Sequence, residues 1–394
     1  MKGRIADIEV LRAVAVLAVL FQHVGNLLPW APAGLERLYG YLGGSFGVDL
    51  FFAVSGFVIA RDLVPRLLTV APGQTRRVVL AFWVRRIWRL WPSAWLWLGL
   101  ILVAVVAFNR SGAFGSLQAN LEATAAGVLQ YANVRFAQNF MVHEIGASFV
   151  YWSLSLEEQF YLLFPLLILL CRRRLAWCLL AFAAVQLAIP RQQSLLMLFR
   201  TDALVLGVLI ALWSGHPTWR AGLRSLLGLG RAGRLALAGL ALLAMALLCS
   251  RLELTRYAVS LIALLSAGLV LLASYDRDLL LADGRLRRAL LWTGSRSYAL
   301  YLIHIPVFLA TRELFFRLLP DAVPGPGLAL LHGFCALALL VGLAEVNYRL
   351  VEAPLRLHGA RVSARWLRTS STPPAAGPGP DGLLPLSLER PLKA

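Results

Sequence analysis

Apolar segments of about 15 to 22 residues recur along nearly the whole chain, separated by short basic connections. A helix rises about 1.5 Å per residue and the hydrocarbon core is roughly 30 Å thick, so about 20 apolar residues make one crossing. Inside lipid the backbone must satisfy its own hydrogen bonds, which a helix does within one segment. The chain is 59% hydrophobic and 15% charged, with mean hydropathy +0.71, too little charge to cover the surface of a soluble 394-residue protein. The expectation is an all-α integral membrane protein, a bundle of about ten transmembrane helices. Breakers and periodicity place them near 8–28, 44–60, 88–108, 149–170, 175–190, 195–213, 235–250, 257–274, 290–310 and 328–348.

A net charge of +18 could point to nucleic acid, but its distribution argues otherwise. With the N-terminus inside, alternate connections hold 27 of the 38 Lys and Arg residues and the opposite set holds 9. That asymmetry follows the positive-inside rule, predicts both termini in the cytoplasm, and leaves no nucleic-acid partner. Cys171, Cys178, Cys249 and Cys335 lie apart in apolar stretches, as small hydrophobes do, with no metal-binding spacing. Lys2, Arg4 and the run Ala13 to Phe21 imitate a signal peptide. Asp7, Glu9 and Arg12 before that run, and His23 near its far end, favour a retained first helix. Residues 1–360 are expected to form one membrane domain, and the Pro- and Gly-rich stretch 369–394 a disordered cytoplasmic tail.

Ionisable groups inside membrane helices are costly, so each is a candidate for function. Arg12 and His23 are eleven residues apart, almost three full turns and roughly 16 Å along the axis, so one face carries both. The plain alternative for His23 is a histidine bonded to a neighbouring helix. Asp49 starts the second segment at a similar depth and could orient the imidazole; pairing with some other polar group is the competing reading. Gly56 in the same segment suits close helix packing. Arg86 and Arg89 are i,i+3 neighbours at the inner end of the third segment, where forked guanidinium donors suit a phosphate-bearing ligand. They also serve as a positive-inside anchor. In the fourth segment Ser153, Glu157 and Tyr161 share a stripe, while Glu158 is turned about 100° away; Glu157 is favoured for a cavity. Ser297, Tyr301 and His304 form another polar stripe, with interhelical hydrogen bonding as the bland account. His143-Glu144 lacks the second histidine of a zinc-protease motif and reads as chance. Buried acids and histidines also suit a transporter or flippase, though no repeated half is visible.

Together these segments resemble the membrane acyltransferase-3 family. The pieces that carry it are Arg12 to His23, FGVDLFFAVSGFVI (Phe46 to Ile59), RRIWRLWP (Arg85 to Pro92) and WSLSLEEQFYLLFP (Trp152 to Pro165). FRTDALVLG (Phe199 to Gly207), GSRSYALYLIHIP (Gly294 to Pro306) and YRLVEAPLR (Tyr348 to Arg356) complete it, in order, over residues 4 to about 360. Ala53 and Pro92 to Ala94 stand where relatives often carry larger side chains. Some relatives append an extracytoplasmic domain, and the expectation here is the stand-alone form. The resemblance implies transfer of an acyl group from cytoplasmic acyl-CoA to a hydroxyl of a glycan or other extracytoplasmic acceptor, without a metal. Acetyl-CoA is the first expectation for the donor, with succinyl or longer groups open. On that reading Arg12, Arg86 and Arg89 hold the nucleotide phosphates, and His23 is the general base, or carries the acyl group in a covalent relay. Asp49 or Glu157 orients the imidazole; Glu158, Tyr301 and His304 support the substrate. The long outer connection from Asn109 to Ser148 would face the acceptor.

Overall fold

The computed structural model describes residues 5–71, 73–190, 198–216, 218–219, 227–275 and 280–368. Lys2, Arg4 and the segment 369–394 lie outside the described residues. Among those described there are sixteen α-helices and no strand. They are α1 (Ala6–Gln22), α2 (Val24–Leu27), α3 (Ala33–Tyr41), α4 (Phe46–Thr69), α5 (Thr75–Ala107), α6 (Leu117–Val128), α7 (Ala132–Asn139) and α8 (Tyr151–Cys171). There follow α9 (Leu175–Ala188), α10 (Asp202–Trp213), α11 (Gly230–Leu248), α12 (Ala258–Ser274), α13 (Arg285–Ser295), α14 (Ser297–Leu318), α15 (Pro326–Asn347) and α16 (Ala353–Arg368).

Each of the ten apolar segments contains helix among its described residues, 195–197 lying outside them, but the helix lengths differ from the simple expectation. Four helical stretches among the described residues are long and apolar enough to cross a bilayer: Thr75–Ala107, Gly230–Leu248, Ser297–Leu318 and Pro326–Leu367. A fifth arises if α3 and α4, bent by 51°, count as one span. This is a multi-pass membrane protein. The remaining segments fall short for identifiable reasons. Helix α1 stops at Gln22, where His23 leaves helical geometry with ψ 7°, and α8 carries Glu157, Glu158 and Gln159 in its interior. Helices α9 and α10 have 14 and 12 residues, below the roughly 20 of a full crossing. The expected span 290–310 is divided at Arg296, which separates α13 from α14, and Gly294 in the last turn of α13 lies in tight contact with the backbone of Glu9 on α1.

Helix α4 sits at the centre, flanked by α1, α8, α10 and α12, and buries Phe52 and Phe57 completely. Its crossing with α10 needs two glycines. A Cβ on Gly56 would lie 2.0 Å from the Leu204 carbonyl oxygen, and one on Gly207 would lie 2.1 Å from that of Ala53. Backbones this close gain dispersion contact where lipid supplies no hydrophobic drive between helices. That approach brings the start of α10 against the start of α4.

Helices α6 and α7 belong to the long connection between α5 and α8, which has its own hydrogen-bonded frame. The Arg135 guanidinium donates to the carbonyls of Ile145 (2.8 Å), Ala119 (3.3 Å) and Glu144 (3.3 Å). Asn120 Nδ2 donates to the Phe114 carbonyl at 2.8 Å, and its Oδ1 accepts from Ala147 N at 2.8 Å. Glu313 on α14 anchors the frame by accepting from the backbone N–H groups of Arg110 (2.9 Å) and Ser111 (2.8 Å).

Candidate active site

Two cavities lie close together inside the bundle. The smaller, about 80 Å³, is lined by Arg12 of α1, Arg86 and Arg89 of α5, Ser55 of α4, and Glu157 and Tyr161 of α8. The larger, about 890 Å³, lies under the Asn109–Ser148 connection and is lined by His23, Arg200, Arg312 and the rings of Phe136, Phe149 and Trp152. Val48 and Tyr301 line both.

Three arginines line the small cavity, and two of them, Arg12 and Arg86, have different anchors. Arg12 Nη1 donates to Glu9 at 3.0 Å. Arg86 stacks its guanidinium over Phe82 (5.5 Å) and Tyr161 (5.2 Å), contacts that hold a cation without neutralising it. The Tyr161 hydroxyl bonds Ser55 Oγ at 2.7 Å and donates a short hydrogen bond to Glu157. Glu157 therefore belongs to the arginine-lined cavity. Glu158, one residue on, is half-buried and lines neither cavity.

His23 owes its position to the break after α1. Its Nδ1 lies 3.1 Å from His304 Nε2 on α14, the two rings 5.1 Å apart, and its edge meets Phe149 at 5.4 Å. His304 is 0% exposed, and its Nδ1 lies 2.6 Å from the Tyr301 carbonyl oxygen. A carbonyl can only accept, so His304 Nδ1 carries the hydrogen. With both rings neutral, His304 Nε2 is then an acceptor, and His23 Nδ1 must donate to it. That leaves a lone pair on His23 Nε2. Tyr301 is fixed in turn by Ser153 Oγ at 2.6 Å and the Val150 carbonyl at 3.0 Å.

Neither carboxylate expected beside His23 holds that place; a second histidine does. Asp49 is instead clamped by Arg200, whose Nε donates to it at 2.8 Å while an Nη reaches its other oxygen. The pair is buried, Asp49 0% and Arg200 5% exposed, and Arg200 presents its remaining surface to the larger cavity. Opposite charges at this depth satisfy each other better than either could satisfy an imidazole. Sequence reasoning gave Arg200 no role of its own and set His143 and Glu144 aside as chance, yet all three line the larger cavity. The signal for Arg200 was present, a second ionisable group at the edge of an apolar segment near the depth of Asp49. Among the described residues no three His, Cys, Asp or Glu side chains are grouped to hold a metal ion.

Comparison with known proteins bears on this site. The family model described as an acyltransferase domain, acyltransferase-3, matches residues 5–345, which include every cavity residue named above. The chain belongs to this acyltransferase family. The Bacillus subtilis protein YrhL, provisionally assigned as a peptidoglycan O-acetyltransferase, is 27% identical to the acyltransferase-family chain over 389 residues, covering 92% of this chain and 56% of YrhL. The peptidoglycan O-acetyltransferase OatA of Listeria monocytogenes is 25% identical, over 90% of this chain and 56% of OatA. The O-acetyltransferase OatA of Staphylococcus aureus is 25% identical, over 90% and 57%. The chain thus spans little more than half the length of the curated relatives it matches. No solved structure matches it significantly.

Proposed function

We propose that this acyltransferase-family chain is a bacterial inner-membrane O-acyltransferase. About ten helices cross the membrane and both termini are cytoplasmic. The donor is acyl-CoA, acetyl-CoA in the first instance, and the acceptor is a hydroxyl of a glycan or other extracytoplasmic molecule. The observation that carries this reading is that Val48 and Tyr301 line both a cavity with three arginines and a cavity with a histidine. The excess of basic residues from Arg76 to Arg89 at the start of α5 supports reading the small cavity as the cytoplasmic one. A family whose relatives are named O-acetyltransferases then supplies the chemistry.

Arg12, Arg86 and Arg89 bind the donor's phosphates at the inner cavity, where guanidinium forks match phosphate oxygens. Tyr301 and Val48 flank the passage through which the thioester reaches the larger cavity. His23 Nε2 takes the acceptor's hydroxyl proton as that oxygen forms its bond to the acyl carbon. The carbon–sulfur bond breaks, and His23 returns the proton to the departing thiolate. His304 holds His23 in the tautomer this needs, the role first expected of Asp49 or Glu157.

The test uses the full-length protein in lipid nanodiscs with radiolabelled acetyl-CoA and a glycan acceptor. Label on the acceptor with stoichiometric release of CoA is the expected result. Transfer at an undiminished rate by His23→Ala would remove the imidazole from the chemistry. Vectorial movement of intact acceptor without acyl transfer would replace the enzyme by a transporter.

A further inference from the structure

Arg312 on α14 faces the larger cavity as well as a side groove of about 290 Å³ lined by Trp30, Phe315 and His332. Its guanidinium makes one protein hydrogen bond, Nη1 to the Asn26 carbonyl at 3.3 Å. Among the described residues no carboxylate lies within ion-pair distance of it. The other charged groups nearby are occupied. Arg200 is held by Asp49, Glu313 serves Arg317 and the Arg110–Ser111 backbone, and Glu144 accepts from Ser116 N (2.8 Å) and Oγ (2.7 Å). A guanidinium has five N–H donors, so most of the Arg312 fork is unmatched by protein. A half-buried cation so placed, in a cavity whose other charged lining residues, Arg200 and Glu144, already have protein partners, is suited to an oxyanion brought by a ligand.

We infer that Arg312 binds an anionic group, carboxylate or phosphate, of the acceptor, and so makes the larger cavity selective for acidic acceptors. The inference rests on reading that cavity as the acceptor site. Arg312 is eight residues beyond His304 on one helix, about 12 Å along its axis. The anion is therefore held away from the reacting hydroxyl and positions the acceptor without entering the chemistry. Two sources supply such a group: an acidic sugar within the glycan, or the phosphate of a lipid carrier whose tail follows the apolar side groove.

The test measures equilibrium binding to the full chain in nanodiscs of three probes. They are a glucuronic acid-containing tetrasaccharide, its carboxyl-reduced neutral counterpart, and N-acetylglucosamine on a short polyprenyl diphosphate. At least one anionic probe should bind about tenfold tighter than the neutral one, and which of them does so identifies the source. Arg312→Gln should abolish that preference, and Arg312→Lys should keep part of it, with acyl-CoA binding unchanged in both. Equal binding of all three probes by the unmodified protein overturns the inference. So does a preference that survives Arg312→Gln, or a variant that weakens charged and neutral probes alike, which would make Arg312 a brace for the Asn26 turn. Acyl transfer is followed separately on the same samples, so a protein that selects anions without transferring acyl groups counts against the enzyme and leaves the selectivity standing.

Discussion

His304 Nε2 stands 3.1 Å from His23 Nδ1, and the hydrogen on the far side of His304 is committed to a backbone carbonyl. The second imidazole thus sets the tautomer of the first through a chain that ends on Tyr301. A carboxylate there would favour a charged imidazolium; a neutral histidine orients the ring without doing so. His304→Phe should leave folding and acyl-CoA binding intact while lowering the acyl-transfer rate at least about tenfold, a histidine in the wrong tautomer costing up to roughly 10⁴-fold. An unchanged kcat in that variant would dismiss the relay.

Removing the imidazole proposed as general base should cost at least as much as removing its support. His23→Ala is expected to reduce kcat by about 10²- to 10⁴-fold, with the donor's affinity preserved because the arginines line the other cavity. A variant that loses donor binding along with turnover would place His23 in the donor site.

Arg86 separates binding from chemistry in the other direction. Loss of one charge-assisted contact, about 1.5–3 kcal/mol, should raise KM for acyl-CoA by tenfold or more in Arg86→Ala while kcat changes little. Arg86→Lys should recover only part, since the flat guanidinium also covers Phe82 and Tyr161. Titration of the nonhydrolysable donor analogue by calorimetry reads this directly, and equal affinity in all three proteins would contradict it.

Asp49 is expected to behave as a structural anion. Asp49→Ala strands a buried cation at Arg200 and should destabilise the protein by about 3–5 kcal/mol, seen as a lower unfolding midpoint in detergent. Asp49→Leu combined with Arg200→Met should regain most of that stability. If Asp49→Ala melted normally yet lost activity, a catalytic role would return to it.

The crossing of α4 and α10 offers a test of packing alone. Gly56→Ala drives a methyl into the Leu204 carbonyl and should cost about 1–3 kcal/mol. Gly239→Ala on α11 has nothing within 4 Å and should be neutral or stabilising by roughly 0.5–1 kcal/mol. Thermal unfolding of the two variants side by side decides it.

Local chemistry was enough to announce the helices, because apolar length and hydropathy are properties of contiguous residues and a bilayer demands them. For the same reason Arg12, Arg86, Arg89 and His23 stood out: a charge inside an apolar run is conspicuous wherever the run folds. Helical spacing likewise put Tyr301 and His304 on one stripe. Partnership was different. That Asp49 meets Arg200, 151 positions away, and His23 meets His304, 281 away, depends on which helices cross and at what depth. Those crossings are governed by backbone approach at Gly56 and Gly207 and by the break after Gln22, and each joins residues that share no local signal. The sequence therefore determined which groups sit in the membrane, and tertiary packing alone decided which of them neutralise each other and which line a cavity.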